Sequence, residues 1–308
     1  MENSDNTGKP IDHRAIDNVA KEIQQDVDTQ GARRVYDSPS KGVLWGGEVP
    51  VYVWTKAIAT GTFLMMSTWN ILNGNLDAKS EMIGLITTLF FMGLTAGLLI
   101  KDIDRPDRFL YVLLRPQWKS WLVRGAYIIT GFSGLVSLML LDNYLQLGLD
   151  WLWIPGMVFA GLGAVYTAFL FNQARARDLW QTPIQSAIHM LVHALIAGSV
   201  VMMIIDPETA EWMTSALLWG VVFNMVIIAK EILIPHDTPD TRKAIHLMTK
   251  GYYSKYFWAG IIGGSVIPIM MLTMITGAGA ILAGGFALVG ILLTEFVRIR
   301  VPQMIPLS

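Results

Sequence analysis

The sequence predicts an all-α integral membrane protein of eight transmembrane helices preceded by a polar N-terminal tail. Three observations predict it: an apolar composition, recurring apolar runs of membrane-spanning length, and basic residues gathered at one side of those runs. Of the 308 residues 53% are hydrophobic and only 15% charged, with a mean hydropathy of +0.46. A soluble domain of this size carries about a quarter of its residues as charges. The runs fall near 51–72, 82–101, 120–141, 152–172, 186–205, 212–234, 257–276 and 279–297, each of about the 20 residues that cross a bilayer as a helix. The last two are parted only by the short GAGA turn, but 257–297 is too long for one helix, so eight is the expected number. Lipid is therefore the first partner, and nothing points to a nucleic acid.

Residues 1–44 are polar and mixed in charge, with no apolar core after the first basic residues, unlike a signal peptide. Within this tail, 15–27 has helical periodicity, with Ile16, Val19, Ala20, Ile23 and Val27 on one side. It reads as a peripheral helix or a partner-binding arm. The chain has no cysteine, which excludes iron-sulfur ligation and disulfides by the chain itself.

With an even number of spans, both tails and the loops after helices 2, 4 and 6 share one side. That side holds every Lys and Arg except Lys79, while Asp77, Glu81, Asp142, Asp150, Asp206, Glu208 and Glu211 gather on the other. Basic residues stay on the cytoplasmic side, so both termini and the 102–125 loop are expected in the cytoplasm. A rival origin for the asymmetry is a docking face for an acidic partner.

Ionisable groups are expensive inside a membrane, and each is a candidate site. Glu48, Tyr52 and Lys56 stand at i, i+4 and i+8 on one face of the first helix. Asp102 and Arg105 lie at the end of the second, Arg124 one turn into the third, and Tyr166 in the fourth, followed by Asn172, Gln173, Arg175 and Arg177. All lie toward the basic face, and one polar pocket within an N-terminal four-helix bundle accounts for them. The competing reading is structural: Lys56, Arg124 and Arg175 snorkelling to headgroups, Asp102 and Arg105 as an ion pair, Tyr166 in an aromatic belt.

His189 and His193 repeat at i, i+4 on the fifth helix, which is a metal-ligand spacing in soluble zinc enzymes. Two histidines on one helix cannot be opposite axial ligands of one haem, and the remaining ones, His13, His236 and His246, lie in the tail and a loop. Interhelical hydrogen bonding or cavity lining is the commoner use, and no metal site is expected.

Four stretches in order, DIDRPDRFLYVLLRP, SWLVRGAYII, Tyr166 followed fourteen residues later by Trp180 in RARDLW, and GYYSKYFWAGIIGGSVIP, resemble the NrfD family. Its members are integral membrane subunits of polysulfide-reductase-like molybdenum enzyme complexes. The resemblance runs from about Gly46 to Arg300. It implies eight helices in two four-helix bundles, the first within 45–180 and holding a quinone site, the second within 181–308. It further implies menaquinone or ubiquinone as substrate, no haem, metal or iron-sulfur cluster in this chain, and a ferredoxin-like partner with four iron-sulfur clusters serving a molybdopterin catalytic subunit.

Asp102, Arg105 and Pro106 match the family's D-L-G-R-P motif, with Asp104 in place of its Gly, and Tyr166 matches a Tyr implicated in quinone contact. Tyr52 and Glu48 fall where members place polar quinone ligands. The chemistry these residues offer agrees. Quinone exchange needs an apolar slot, donors to two carbonyl oxygens, and a proton-moving group. Tyr166 and Lys56 supply donors, Asp102 or Glu48 a proton carrier, Arg105 or Arg124 a counter-charge, and Trp54, Phe63 and Trp121 apolar walls. Asp102 and Tyr166 are the expected catalytic pair. Since no Asp, Glu, Lys or Arg stands near a helix centre, proton exchange is expected on the motif side without pumping.

Two other function classes compete. A secondary transporter or channel predicts broken helices and midplane polar groups, to which the glycines at 260–264 and 277–285 and Pro268 are the available hints. A bare membrane anchor predicts that Asp102 and Tyr166 are dispensable.

Overall fold

The computed structural model describes residues 45–102, 109–174, 177–234, 236, 238–274 and 278–305. The expected tail helix at 15–27, the motif residues Arg105 and Pro106, and Arg175 lie outside the described residues. Among the described residues the chain is helical, without strands. The helices are α1 Glu48–Asn73, α2 Ala78–Asp102, the short α3 Phe109–Leu114, α4 Trp121–Leu145, α5 Trp153–Asn172, α6 Pro183–Ile205, α7 Ala210–Leu233, α8 Pro239–Thr249, α9 Ser254–Ile261, α10 Ile267–Met274 and α11 Ala278–Arg300.

Seven segments are long and apolar enough to cross a membrane: Ala78–Asp102, Trp121–Leu145, Asp150–Asn172, Pro183–Ile205, Pro207–Leu233, Ser254–Met274 and Gly279–Met304. The protein is thus a multi-pass membrane protein. The first expected run coincides with α1, which has 26 residues but is not among the seven. The reason is its composition: Glu48, Lys56 and the threonines at 55, 60, 62 and 68 dilute its apolar residues. Its setting explains how such a helix is tolerated. Apart from Val51 and Trp54, every residue from Val49 to Ser67 is buried, because α1 packs against α2, α5, α6 and α11 at once. By contrast α2, α4 and α7 expose large apolar side chains such as Phe90, Leu138 and Phe223, as helices facing lipid do.

α2 and α4 pack together, as do α4 and α5; on the other side of α1, α6 meets α7 and α11, and α10 meets α7 and α11. The two sets approach most closely where α1 crosses α6. A Cβ on Gly61 would stand 1.8 Å from the Ala194 carbonyl oxygen, and one on Gly198 would stand 2.0 Å from the Gly61 oxygen. Backbone meets backbone there, as small residues permit between membrane helices.

The glycine-rich 260–264 segment, which hinted at a broken helix, is instead a π-helical turn, Ile262–Val266, within the continuous span Ser254–Met274. The turn presses Gly264 against Gly290 of α11, where a Cβ would lie 2.4 Å from the Gly290 Cα. A π turn re-aims a helix without breaking its hydrogen-bond ladder.

At the end of the molecule bearing the α1 N-terminus, Gln303 ties the segment before α1 to the turn after α11. Its Oε1 accepts from Trp45 N at 2.9 Å and its Nε2 donates to Trp45 O at 3.2 Å. Trp45 also stacks with Phe171 and Trp180 at 5.1 and 5.0 Å, and Trp180 Nε1 donates to Arg298 O at 3.2 Å. The amphipathic α8 lies at this end as well, capped by Thr238, whose side chain accepts from Thr241 N. At the opposite end Asp77 starts α2 by accepting from Lys79 N and Ser80 N, and the Ser80 contacts hold its carboxyl below the usual carboxylate range.

Candidate functional site

Lys56 is the organising residue of the site, and it does not snorkel. It is 1% exposed, and its Nζ donates to Ala164 O at 3.0 Å and to Thr167 Oγ1 at 2.5 Å, both on α5. The ammonium has three N–H bonds, and it also stands 4.4 Å from the centroid of the Tyr166 ring, a cation–π distance. A desolvated cation here is stabilised by a carbonyl dipole, a hydroxyl and a ring face, where solvent would otherwise be needed.

Tyr166 is 1% exposed, so it lines the interior and is no aromatic-belt residue. Its ring lies flat on Gly125 of α4, where a Cβ would meet Tyr166 Cε2 at 2.3 Å. The glycine of SWLVRG is what admits the ring. The Tyr166 hydroxyl is buried with no hydrogen-bond partner among the described residues, so a donor–acceptor group is left available inside an apolar setting. Tyr52, one turn before Lys56, is 2% exposed and within electrostatic reach of both Tyr166 and Asp102. Thr55 Oγ1 and Thr95 Oγ1 meet at 2.9 Å and lock α1 to α2 on this face.

Of the residues singled out in the sequence, the structure brings together Tyr52, Lys56 and Tyr166, with Asp102 within electrostatic reach of Tyr52. Glu48 sits at the rim, where it pairs with Lys101 at 3.3 Å. Arg124 is not part of the group. It is exposed, its Nε donates to Trp118 O at 2.6 Å, and its guanidinium lies over Trp121 at 4.8 Å. It therefore organises the 115–121 connection. Arg105 lies outside the described residues.

A second buried polar group lies beyond α1. On α6, His189 and His193 are each 1% exposed; Asn224 Oδ1 of α7 is 2.7 Å from His189 Nε2 and 3.0 Å from His193 Nε2. His193 Nδ1 is 3.1 Å from Glu295 Oε1 of α11. Glu295 is within electrostatic reach of Lys56, Tyr52 and Arg298, and Arg298 forms an ion pair with Glu231 of α7. The histidines thus make the interhelical hydrogen bonds expected of them. His189, His193 and Glu295 offer ligand atoms within 4.8 Å of one another, but the Asn224 amide occupies the point on which both Nε2 atoms converge.

Glu295, Asn224 and Thr167 were missed in the sequence. Missed with them was the meeting of His193 and Glu295, almost fully buried, between α6 and α11. The signal for Glu295 was present: it is a lone carboxylate within the apolar run before Arg298. Asn224 and Thr167 carry no comparable mark, since uncharged polar residues are common in membrane helices.

The polysulphide reductase, NrfD, family model matches residues 37–306. The chain belongs to the NrfD family. It is also similar to the protein NrfD of Escherichia coli (strain K12), 21% identical over 323 aligned positions that cover 86% of this chain and 96% of that one. The NrfD match takes in both buried polar groups and every described helix. Membership accounts for the resemblance of the DIDRPDRFLYVLLRP and GYYSKYFWAGIIGGSVIP segments and for a multi-pass membrane architecture.

Proposed function

We propose that this NrfD-family chain is the quinone-reactive membrane subunit of a multi-subunit oxidoreductase, exchanging electrons between menaquinone or ubiquinone and a ferredoxin-like [4Fe-4S] partner that serves a molybdopterin catalytic subunit. In this reading α1 is the eighth span. It forms one four-helix bundle with α2, α4 and α5, while α6, α7, the α9–α10 rod and α11 form the other. The observation that carries the reading is the convergence of a buried ammonium and two buried phenols between apolar helices, with the motif carboxylate Asp102 within electrostatic reach of Tyr52. Quinone reduction takes up two electrons and two protons, so it needs hydrogen-bond donors at the carbonyl oxygens and a proton carrier with a path to water. Tyr166 OH and Lys56 Nζ orient the head group, and Asp102, at the membrane-face end of α2, exchanges protons. Electrons arrive from the partner.

The test is quinol-linked turnover of the purified complex carrying Asp102→Asn or Tyr166→Phe. Each is expected to lower the rate by about 10²-fold while leaving the partner subunits bound. Wild-type rates in both variants would leave only the anchor function. The transporter alternative loses its main support, because the glycine-rich segment is a continuous span.

The same reading sets both termini in the cytoplasm. Because the chain has no cysteine, single cysteines report sidedness directly. Lys79→Cys is expected to react with a membrane-impermeant maleimide in intact cells and Lys250→Cys only after lysis. The reverse pattern would invert the topology.

A further inference from the structure

The geometry points to the Glu295–His193 pair as a proton-exchanging site of its own, loaded from the cleft at the basic end of the molecule and serving the Lys56 cluster. The proposal rests on the quinone reading above for the use made of the proton, but not for its uptake.

Hydrogen-bond counting shows where that proton is taken up. Asn224 Oδ1 faces both Nε2 atoms, so both nitrogens donate to it, and a neutral His193 would then present a bare Nδ1 lone pair to Glu295. Nδ1 stands 3.1 Å from Glu295 Oε1 without an aligned hydrogen bond, so a proton taken up between the two relieves the facing lone pairs. With the Asn224 amide turned over, its Nδ2 donates to both Nε2 atoms and a neutral His193 carries its single proton on Nδ1, facing the Glu295 carboxylate. The pair is therefore neutral imidazole with carboxylate when empty and, once it takes up a proton, imidazolium with carboxylate or imidazole with carboxylic acid. Both residues are almost fully buried, a setting in which such groups are retained for use.

The pair opens to a crevice on one side and faces the Lys56 cluster electrostatically on the other. Outward, a crevice of about 20 Å³ touches Glu295, His189, Ser186 and Arg298, enough for a single water. Leu179 lines this crevice and also a cleft of about 400 Å³ that carries Asp178, Glu231 and His236 at the basic end. Glu231 is the ion-pair partner of Arg298, so the water site and the cleft are separated by one salt bridge. Inward, Glu295 is within electrostatic reach of Lys56 and Tyr52 on α1. The groups facing Glu295 are thus Lys56 and Tyr52 from α1, His189 and His193 from α6 and Arg298 from its own helix, with Glu231 of α7 behind Arg298. As a quinone takes two electrons from the iron-sulfur partner, a proton leaves the pair toward the Lys56 cluster, and water in the crevice replaces it. Quinol oxidation runs the transfer backwards.

Infrared difference spectroscopy on the intact complex, stepped in pH without quinone, tests the first half. A protonated-carboxyl C=O band that shifts in deuterium oxide is expected, and it is expected to vanish in Glu295→Gln. Quinol turnover of the same preparations tests the second half. Glu295→Gln is expected to lose about 10-fold or more in kcat with KM for a short-chain quinol unchanged, and Glu295→Asp to recover part of the rate. If Glu295→Gln fails to assemble, His193→Gln and Glu295→Asp carry the comparison. A full rate in the variants overturns the proposal whatever the spectrum shows, as does a band that survives Glu295→Gln. A Glu295 band in a wild-type complex that turns over no quinol instead overturns the quinone reading and leaves the proton-exchanging site standing.

Discussion

Gly61→Ala is expected to prevent the chain from assembling, the largest structural effect of any single methyl added here. The new Cβ would lie 1.8 Å from Ala194 O, 2.6 Å from Ala194 C and 2.9 Å from Gly198 N. All three are backbone atoms of α6, so no side chain can swing aside. The helices would have to separate by more than an ångström along the contact that joins the two halves of the fold. Overpacking of a rigid core typically costs about 1–3 kcal/mol, and a clash with backbone on one side and the buried α1 on the other puts this case at the top of that range or beyond. The measurement is thermal melting in detergent, with the amount of chain recovered from membranes as a second reading. Gly93→Ala in α2 is the control, since a Cβ there meets nothing within 4 Å. It is expected to be neutral. Equal behaviour of the two variants would mean that α1 and α6 do not touch as described.

How much of this was legible in advance differs by residue. The apolar runs were readable because lipid solvation imposes length and composition on any helix it touches. α1 is among them as the 51–72 run, but it is the least apolar because protein, not lipid, surrounds it. The same fact explains why snorkelling was the wrong bland reading for Lys56 and the belt the wrong one for Tyr166. Both readings assume a lipid-facing helix, and which helix is central depends on long-range packing of the kind set by Gly61 and Gly198. Nothing local in the sequence pairs those two glycines. Arg124 illustrates the opposite error: its position near the motif suggested the pocket, but whether a side chain turns inward or outward is decided by helix rotation, here set by the Tyr166 ring on Gly125. Glu295 was readable as a charge in an apolar run, whereas its partner on α6 was not, because a hydrogen bond between helices leaves no trace in the spacing of either.

Lys56→Met is the functional prediction with the largest expected effect: quinol turnover falls by about 10²-fold or more while the complex stays folded. The two halves of that statement have separate grounds. Methionine matches the length of the lysine stem and fills irregular apolar space. The groups it would leave behind are tolerant, since Ala164 O is a carbonyl within α5 and the Thr167 hydroxyl can turn to a carbonyl of its own helix. Glu295 keeps His193 as a direct partner and Arg298 nearby, so no carboxylate is stranded and the stability change should stay within about 2 kcal/mol. Function has no such reserve. The ammonium is the only cation seated against Tyr166 among the described residues, and it stands between the phenols of the first group and Glu295 of the second. In the quinone reading proposed above, removing it takes away a donor to the substrate and the charge that faces Glu295. Lys56→Arg should fail differently, because a site this enclosed has no room for a guanidinium, and the melting temperature should drop along with activity. Full turnover in Lys56→Met would dissociate the buried polar groups from quinone chemistry, and a complex that melts well below wild type would show that the ammonium holds α1 to α5.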